Sequence, residues 1–236
     1  MRSAAVLLAA GSGRRMGSGN KKQYLDLCGR PLMYYALDTF SKSGVDDLII
    51  VVSPGDADLV RHDIVEKYGI DRVRAIVDGG AERYDSVRNG VTAAGEADLI
   101  LIHDTARPFV TVEMIERAMK AAGECGAVVV GMPVKDTVRI TDENDVGVST
   151  PDRRRVWAAQ TPQVFEGRLI RKAYELLAKD ADGKIRGDVM ITDDAQVAEI
   201  YMNVHAKMVE GSWSNIKVTV PEDIPVAESI LKGKAV

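Results

Sequence analysis

The sequence predicts an α/β protein with a doubly wound, mostly parallel β-sheet and a projecting β-arm. Short apolar runs rich in β-branched residues alternate with longer stretches of helical period, which is typical of a parallel sheet covered by helices on both faces. After Val134 this alternation stops, and short alternating segments without helical period follow. We therefore interpret residues 1–236 as one domain that carries an arm.

The predicted strands are five apolar runs, and the predicted helices lie between and after them. Because these runs are apolar throughout, both faces of the sheet are expected to be buried. Pro31 stands where the first turn of the first helix is expected, and Pro221 opens the last one. We place strands at residues 4–10, 47–53, 72–77, 98–103 and 126–134, and helices at about 32–40, 56–68, 83–94, 111–124, 166–179, 192–202 and 221–232.

Residues 135–160 are predicted to form the arm. The segment has short alternating stretches interrupted by Asp-Glu-Asn-Asp at 142–145, a pattern that favours a β-hairpin over a decorated surface loop. An exposed two-stranded ribbon is only marginally stable in water, so another surface should support it. A twofold-related copy is the simplest support, and we expect the arm to form a homodimer.

Composition and charge argue against several classes of protein. The net charge of −4 disfavours a general nucleic-acid binder, which is normally basic. No apolar run approaches the ~18 residues of a membrane span. The apolar stretch after Arg2 is interpreted as a buried first strand and not as a signal peptide. Cys28 and Cys125 form neither a disulfide framework nor a metal-ligand set, so reduced thiols in the cytoplasm are expected.

A loop rich in glycine and cations follows the first strand and predicts a phosphate site. Gly11 and Gly13 would let backbone N–H groups approach an anion closely. Two arginines, Lys21 and Lys22 supply positive charge, although solvated cations on a flexible turn are the alternative. The spacing matches neither common phosphate loop: the lysines do not fit G-x-x-x-x-G-K-[ST], and Met16 replaces the last glycine of G-x-G-x-x-G.

A second polar segment, residues 103–108 (His-Asp-Thr-Ala-Arg-Pro), follows the fourth strand. Ligands of open α/β sheets bind beyond the carboxyl ends of the strands, where the strand order reverses. With the order 3-2-1-4, this segment meets the glycine loop there. Asp104 could then bind Mg²⁺ and Arg107 a phosphate, unless they are a turn residue and a surface ion pair. His103 is expected to be a structural histidine with satisfied hydrogen bonds.

Seven segments, in order from residue 4 to about 232, together resemble the 2-C-methyl-D-erythritol 4-phosphate cytidylyltransferase family. They read LLAAGSGRRM…KKQY, VDGGAERYDSV, HDTARPF, PVKDTV, VWAAQTPQ, ITDDA and EGSWSNIKVTVPED. The resemblance implies a Rossmann-like nucleotidyltransferase of non-mevalonate isoprenoid synthesis. Its expected reaction transfers CMP from CTP to 2-C-methyl-D-erythritol 4-phosphate, giving 4-diphosphocytidyl-2-C-methyl-D-erythritol and pyrophosphate.

The resemblance also implies roles for individual residues. Arg15, Lys22 and Lys217 would be the catalytic cations, and Asp104 would hold Mg²⁺. Thr192 could alternatively be an N-cap residue of the helix that follows it. The implied nucleotide-binding residues are Ala9, Ala10, Gly11, Gly13, Arg15, Lys22, Gly80, Ala81, Ser86 and Ala106, and the implied acceptor-binding residues are Asp104, Arg107, Thr137, Arg153, Thr161, Thr192 and Lys217.

Two positions depart from what is common in this family. Ala81 stands where an acidic residue often follows the two glycines, so base recognition there can use only the backbone. Ser214 stands where an aspartate often precedes Asn-Ile-Lys, so we assign no site role to residue 214.

Two other functions remain open from the sequence. The ribitol 5-phosphate cytidylyltransferase family is similar, but Ala-Ala-Gly at 9–11, Ala-Arg at 106–107 and Ala-Gln at 159–160 favour methylerythritol phosphate as the acceptor. A protein that binds CTP without turning it over is the other alternative. Such a protein would not need both the triphosphate cations and the arm residues Arg153 and Thr161.

Overall fold

The computed structural model describes residues 1–11, 21–180 and 182–234. Short 3₁₀ turns cover Lys22–Tyr24 and Arg153–Arg155. The strands in these ranges are β1 (Ser3–Ala9), β2 (Asp26–Leu27), β3 (Arg30–Pro31), β4 (Asp47–Val52), β5 (Val73–Asp78), β6 (Leu99–Asp104), β7 (Ala127–Pro133), β8 (Ile140–Thr141), β9 (Gly147–Ser149), β10 (Trp157–Glu166) and β11 (Lys207–Glu210). The α-helices are α1 (Leu32–Lys42), α2 (Ala57–Val60), α3 (Arg83–Ala94), α4 (Val112–Cys125), α5 (Gly167–Lys179), α6 (Asp194–Met202) and α7 (Asp223–Lys234).

A seven-stranded sheet in the order β11-β7-β10-β6-β1-β4-β5 forms the centre of the molecule. Strands β5, β4, β1 and β6 are parallel neighbours, so the predicted order 3-2-1-4 is confirmed. Strand β10 inserts antiparallel between β6 and β7, and β11 runs parallel to β7 at the edge. The sheet reverses its order between β1 and β6, which places a crevice at their carboxyl ends.

Both faces of the central strands are buried, as their continuous apolar character predicts. In β1, Ala5, Leu7 and Ala9 join the apolar core formed with α1, α2 and α4. The alternate residues Ala4 and Val6 join the core formed with α3, α5 and α6. Successive side chains of a strand point to opposite faces, so one apolar run serves two helical layers.

Strands β10 and β11 are not predicted by the sequence, and β10 also corrects the extent of the arm. Residues 157–159 pair with β7, so the arm ends near residue 156 and not at 160. Polar residues and Pro162 interrupt the segment, and proline is rare inside strands. The pairing with β7 shifts register between Ala159 and Gln163, which accommodates this interruption. Strand β11 has only four residues with charged ends, too few for a clear pattern.

The helices agree with the predicted spans to within two residues at most ends, with two corrections. The segment predicted as one α-helix at 56–68 contains α2 and then a π-helical turn, Arg61–Glu66. Helix α6 is capped by Asp193, whose carboxylate accepts a hydrogen bond from the Gln196 N–H at 2.9 Å. The alternative role of Thr192 as the N-cap is therefore wrong, because the following aspartate caps the helix.

The predicted hairpin is present in the arm. Strands β8 and β9 pair only with each other among the described strands. The Asp142 carboxylate accepts hydrogen bonds from the N–H groups of Asn144 and Val146 and so stabilises the turn. Ile140, Val146 and Val148 are more than half exposed. The ribbon thus presents apolar side chains to solvent within the single chain.

None of the helices in the described ranges is long and apolar enough to cross a membrane. The longest of them is α4, with 14 residues. Cys28 and Cys125 are both exposed free thiols.

Replacing Gly90 by alanine should destabilise the fold. A Cβ atom there would lie 2.3 Å from Val6 Cγ1 and 2.9 Å from Val51 Cγ2, because α3 packs closely on β1 and β4. Such overpacking typically costs 1–3 kcal/mol, which exceeds the gain of about 1 kcal/mol from replacing a helical glycine by alanine. Urea titration of the wild type and the variant measures the change in the free energy of unfolding, and the sign of that change shows which effect is larger.

Gly123→Ala is the matched control for this substitution. Gly123 lies in α4, is exposed, and would bring its Cβ no closer than 3.5 Å to Met1 Cε. It should raise stability by up to about 1 kcal/mol. If Gly90→Ala is as stable as Gly123→Ala, the close contact between α3 and the sheet does not constrain residue 90.

Candidate active site

Loops at the carboxyl ends of β1, β5 and β6 meet at one edge of the sheet. The Thr105 N–H and hydroxyl both donate to the Leu8 carbonyl, at 3.1 and 2.8 Å. Ala9 is buried at the end of β1. A Cβ atom at Gly79 would lie 2.5 Å from the Cβ of Ala10, so the loops after β1 and β5 are in contact. The convergence expected from the strand order is therefore present.

Asp104 lies at the end of β6 and is the central carboxylate of this crevice. Its side chain is buried, and Lys217 Nζ contacts Oδ2 at 2.6 Å while Arg83 Nη2 contacts Oδ1 at 3.4 Å. Burial acts to raise the pKa of Asp104, but the charges of Arg83 and Lys217 outweigh it and hold the pKa well below its usual range. The carboxylate is therefore ionised throughout the physiological range.

Arg83 links Asp104 to a second buried carboxylate, Asp194. Its guanidinium contacts Asp194 with both terminal nitrogens, at 2.9 and 2.7 Å. Tyr174 donates its hydroxyl to Asp194 Oδ1 at 2.6 Å. Burial acts to lower the pKa of Arg83, but Asp194 and Asp104 raise it well above its usual value. The chain from Tyr174 through Asp194 and Arg83 to Asp104 is a charged network in the protein interior.

Arg107 follows Asp104 by one tight turn, in which the Arg107 N–H donates to the Asp104 carbonyl at 2.9 Å. Its guanidinium donates to the carbonyls of Asn215 at 2.8 Å and Ala159 at 3.4 Å. Burial lowers the pKa of Arg107, although guanidinium stays charged at neutral pH. Among the described contacts no carboxylate pairs with Arg107, so its charge is available to a ligand.

His103 is confirmed as a structural histidine. It is fully buried; Nε2 contacts the Arg107 carbonyl at 3.3 Å, and Nδ1 contacts Thr161 Oγ1 at 3.0 Å. A carbonyl oxygen can only accept, so Nε2 carries the proton and the Thr161 hydroxyl donates to Nδ1. Thr161 Oγ1 in turn accepts from the Asp104 N–H at 3.1 Å. Burial lowers the pKa of His103 to about 4, so the ring is neutral at pH 7.

The two lysines after the glycine loop have different partners. Lys21 Nζ forms a 2.6 Å ion pair with Asp56. Lys22 Nζ instead donates to the Val218 carbonyl at 3.4 Å, and its Cε lies 3.7 Å from where a Cβ of Gly11 would be. The Lys22 side chain therefore crosses the start of the loop toward the segment that carries Lys217.

The loop after β5 is held in place by Ser86. The Ser86 hydroxyl accepts from the Gly80 N–H at 3.0 Å, and Ala81 is exposed beside it. On the other side of the crevice, the Ala106 carbonyl accepts from the Val218 N–H at 2.8 Å. These backbone contacts fix the loops on which the nucleotide-binding residues were expected.

Several expected site residues lie outside this cluster or outside the described ranges. Gly13 and Arg15 belong to the part of the loop that the structure does not describe. Thr137 and Arg153 are exposed on the arm, where Arg153 Nη1 donates to the Lys135 carbonyl at 3.2 Å. None of the contacts among described residues joins Thr137 or Arg153 to Asp104.

Thr192 is exposed at the entrance to α6, two residues before Asp194. Both its N–H, at 2.8 Å, and its hydroxyl, at 3.3 Å, donate to Gln196 Oε1. Its position near the Arg83 network is consistent with the site, but the described contacts do not link it to Asp104 directly.

Comparison with known proteins identifies the family. Residues 3–233 match the profile of the family described as IspD, 2-C-methyl-D-erythritol 4-phosphate cytidylyltransferase. Proteins of that name from Lachnoclostridium phytofermentans and Alkaliphilus metalliredigens are 41% and 42% identical, covering 97% of this chain in both cases and 95% and 92% of their own chains. This chain belongs to that cytidylyltransferase family. A crystal structure of 4-diphosphocytidyl-2C-methyl-D-erythritol synthase from Anaerococcus prevotii superposes with a TM-score of 0.85 at 33% identity, covering 98% of this chain and 96% of that one.

In this cytidylyltransferase, four polar residues that are linked to the crevice are not predicted from the sequence. Arg83 and Asp194 lie inside two of the segments that resemble the family, and their opposite charges are the only sequence signal that indicates a pair. Asn215, which is fully buried and donates to the Thr161 carbonyl at 3.1 Å, also lies in such a segment. Tyr174 lies in the middle of α5, where its spacing is that of an ordinary core residue. Only its contact with Asp194 shows its role.

The cytidylyltransferase should lose stability between pH 6.5 and about 4 because of His103. In the unfolded chain His103 has a pKa of about 6.5, whereas in the folded protein its pKa is about 4. Between these values the unfolded state binds more protons than the folded state, so the free energy of unfolding decreases as the pH falls through this window. The slope is at most about 1.4 kcal/mol per pH unit, or roughly 3 kcal/mol in total. The lowered pKa of Asp104 removes stability only at lower pH.

His103→Gln keeps a donor for the Arg107 carbonyl but cannot titrate. The difference in unfolding free energy between wild type and this variant, followed by urea titration at each pH, should be constant above pH 7 and narrow on acidification to pH 4. A difference that stays constant across the whole range would show that His103 is protonated normally in the folded protein.

Proposed function

We propose that this enzyme transfers CMP from CTP to 2-C-methyl-D-erythritol 4-phosphate and releases pyrophosphate, using the crevice around Asp104. The observation that carries the proposal is the ionised carboxylate of Asp104 with Lys217 at 2.6 Å, where Arg107 follows by one turn and Lys22 reaches the carbonyl of Val218, next to Lys217. Membership of the cytidylyltransferase family supports the choice of both substrates.

The reaction needs no general base from the protein. An oxygen of the acceptor phosphate attacks the α-phosphorus of CTP, forming a new P–O bond, while the bond from that phosphorus to the bridging oxygen breaks and its electron pair leaves on pyrophosphate. A phosphate monoester has a second pKa of about 6 and is mostly dianionic at neutral pH, so no proton must be removed first. His103, neutral and already bonded on both nitrogens, is therefore not required for proton transfer.

The main task of the site is to bring two anions together. Two unit charges 4 Å apart repel by ~4 kcal/mol at an effective dielectric constant of 20, and a triphosphate meeting a phosphate creates several such pairs. Lys22, Arg107 and Lys217 offset this repulsion, and Arg15 is proposed to join them. Fixed cations and loop N–H groups also stabilise the charge that develops at phosphorus.

The donor set at Asp104 suits a magnesium ion that arrives with CTP. Mg²⁺ is usually held by one or two carboxylates together with phosphate oxygens and water. Within the described ranges no cluster of three or more His, Cys, Asp or Glu side chains could hold a metal by itself, whereas Asp104 supplies one ionised carboxylate. When bound, Mg²⁺ would neutralise phosphate charge. Without it, Lys217 Nζ lies 2.6 Å from Oδ2 of the same carboxylate.

The remaining expected residues are proposed to orient the substrates. Gly80 and Ala81 would meet the cytosine through their backbone, with Ser86 fixing their loop. Thr161 donates its only hydroxyl proton to His103 and accepts from the Asp104 N–H, so one lone pair is left for a hydroxyl of the acceptor.

Pyrophosphate release tests the proposed reaction. With CTP and Mg²⁺, 2-C-methyl-D-erythritol 4-phosphate should give the highest kcat/KM, ribitol 5-phosphate and erythritol 4-phosphate should be poor acceptors, and reactions without an acceptor should give no release. A kcat/KM for ribitol 5-phosphate equal to or above that for methylerythritol phosphate would assign the enzyme to the other acceptor.

The arm supports a further part of the proposal, a homodimer with shared active sites. Thr137 and Arg153 project on the arm without contacts to Asp104, and the hairpin exposes Ile140 and Val148. A second copy related by a twofold axis would cover these apolar side chains and would receive the same contact in return. Each site would then combine Lys22 and Asp104 of one chain with Thr137 and Arg153 of the other.

Refolding a mixture of two inactive variants tests this arrangement. Lys22→Ala should lower kcat about 10²–10³-fold, as loss of one preorganised electrostatic contact typically does, and Arg153→Ala should be similarly impaired. Refolded together, half of the dimers carry both lesions in one site and none in the other. Activity should then recover to about a quarter of the wild-type value.

Neighbouring residues provide the controls. Lys21→Ala and Arg154→Ala each remove a positive charge one residue away from Lys22 and Arg153. Lys21 and Arg154 form ion pairs with Asp56 and Asp152. Because these pairs already neutralise their charges, the kcat of both variants should stay within about tenfold of wild type. If mixed dimers form but activity does not recover, the arm serves its own chain.

A further inference from the structure

The two cations on Asp104 are held in very different ways. Lys217 reaches Oδ2 by a single 2.6 Å contact from the end of a flexible side chain. Arg83 contacts Oδ1 at 3.4 Å while both of its terminal nitrogens are fixed by Asp194, which is fully buried. Lys217 can therefore leave Asp104 by rotation of its own side chain, whereas Arg83 cannot leave without breaking its contacts with Asp194.

We propose that Arg83 is a positioning residue that keeps the Asp104 carboxylate in its working orientation when Lys217 moves to the substrate phosphates. The inference rests on the proposed function, in which Asp104 and Lys217 both meet the bound nucleotide. A phosphate that accepts from Lys217 Nζ would compete with Asp104 for the charge of that ammonium group, which has three N–H donors to share between them. The carboxylate then needs another partner to fix its rotation.

The shape of the guanidinium allows Arg83 to do this. Each terminal nitrogen carries two hydrogens in a rigid plane, so Nη2 can donate one to Asp194 Oδ2 and the other to Asp104 Oδ1. An ammonium on a flexible stem cannot hold two carboxylates in fixed directions in the same way. Arg83 thus ties the orientation of Asp104 to the position of Asp194.

Asp194 is itself fixed from three elements. Its own N–H and that of Ala195 donate to Gln163 Oε1 of β10, at 3.1 and 2.9 Å. Tyr174 of α5 donates to Oδ1, and the residue opens α6. Asp194 is thus held through its backbone by Gln163 and through its carboxylate by Tyr174 and Arg83, which makes it a rigid reference point. Partners outside the ligand-contacting residues commonly set how well those residues work.

The competing explanation is that Arg83 only neutralises Asp194 and lies near Asp104 by coincidence. The double variant Arg83→Gln/Asp194→Asn distinguishes this explanation from the proposed positioning role. It removes both charges together, so no unpaired ion remains buried, yet it also removes the cation from Asp104 Oδ1. The readout is the factor by which Mn²⁺ tightens the binding of CTP to the enzyme, measured by calorimetry with Mn²⁺ and with EDTA.

If Arg83 positions Asp104, this factor and kcat should both fall about 10- to 100-fold in the double variant, the usual effect of losing such a supporting partner. Arg83→Lys, which keeps the charge without the fork, should recover only part of the loss. Arg88→Gln removes an arginine from the same helix whose ion-pair partner is Asp85, and it should match wild type in both measurements. A double variant with wild-type values would overturn the proposal.

Two further variants keep the outcome decisive. Asp104→Asn should abolish the effect of Mn²⁺ on CTP binding, and if it does not, the metal assignment in the proposed function fails. If Asp104→Asn abolishes the effect but the double variant keeps the wild-type value, only the role of Arg83 is overturned. Should the double variant be unfolded at the assay temperature, Tyr174→Phe removes only the hydroxyl that fixes Asp194. It should weaken the Mn²⁺ effect several-fold, and an unchanged value would overturn the proposal.

Discussion

An ionised carboxylate at the buried end of a central strand is costly unless cations reach it, and much of this molecule is arranged around that requirement at Asp104. Removing a carboxylate from water without partners is far more expensive than any single packing contact. Lys217 comes from the irregular segment after β11, and Arg83 comes from the start of α3. Two distant parts of the chain are thus fixed to the end of β6 by one side chain.

The turn after β6 converts this central position into a site. His103 and Thr161 join the β6–α4 connection to β10, and the Arg107 guanidinium lies against carbonyls of β10 and the segment after β11. Because these partners are carbonyls, Arg107 is oriented without being neutralised. The same crevice thus contains a carboxylate that is paired with cations, Asp104, and a guanidinium that no described carboxylate neutralises, Arg107. This combination is suited to polyphosphate chemistry.

The arm has the opposite character. Its hairpin pairs only with itself among the described strands and exposes apolar side chains. Thr137 and Arg153, which flank the hairpin, are exposed and have no described contact with Asp104. The proposal that Thr137 and Arg153 bind the acceptor in the site of a second copy accounts for their exposure on the arm. In that arrangement the stability of the arm and the completeness of the site would depend on the same interface.

The sequence by itself determined the parallel half of the sheet, the helices that cover it and the meeting of two loops beyond β1 and β6. These follow from local patterns: continuous apolar runs, helical periodicity and glycine position. Strand β10 could not be predicted, because the polar residues and Pro162 at positions 160–163 interrupt its apolar ends, and it becomes a strand only between β6 and β7. The family segments indicated Asp104, Arg107 and Lys217, but the separate partners of Lys21 and Lys22 do not follow from two adjacent lysines. Only the tertiary structure decided the network of Tyr174, Asp194 and Arg83, because burying a charge requires a partner and that partner can come from any distance along the chain.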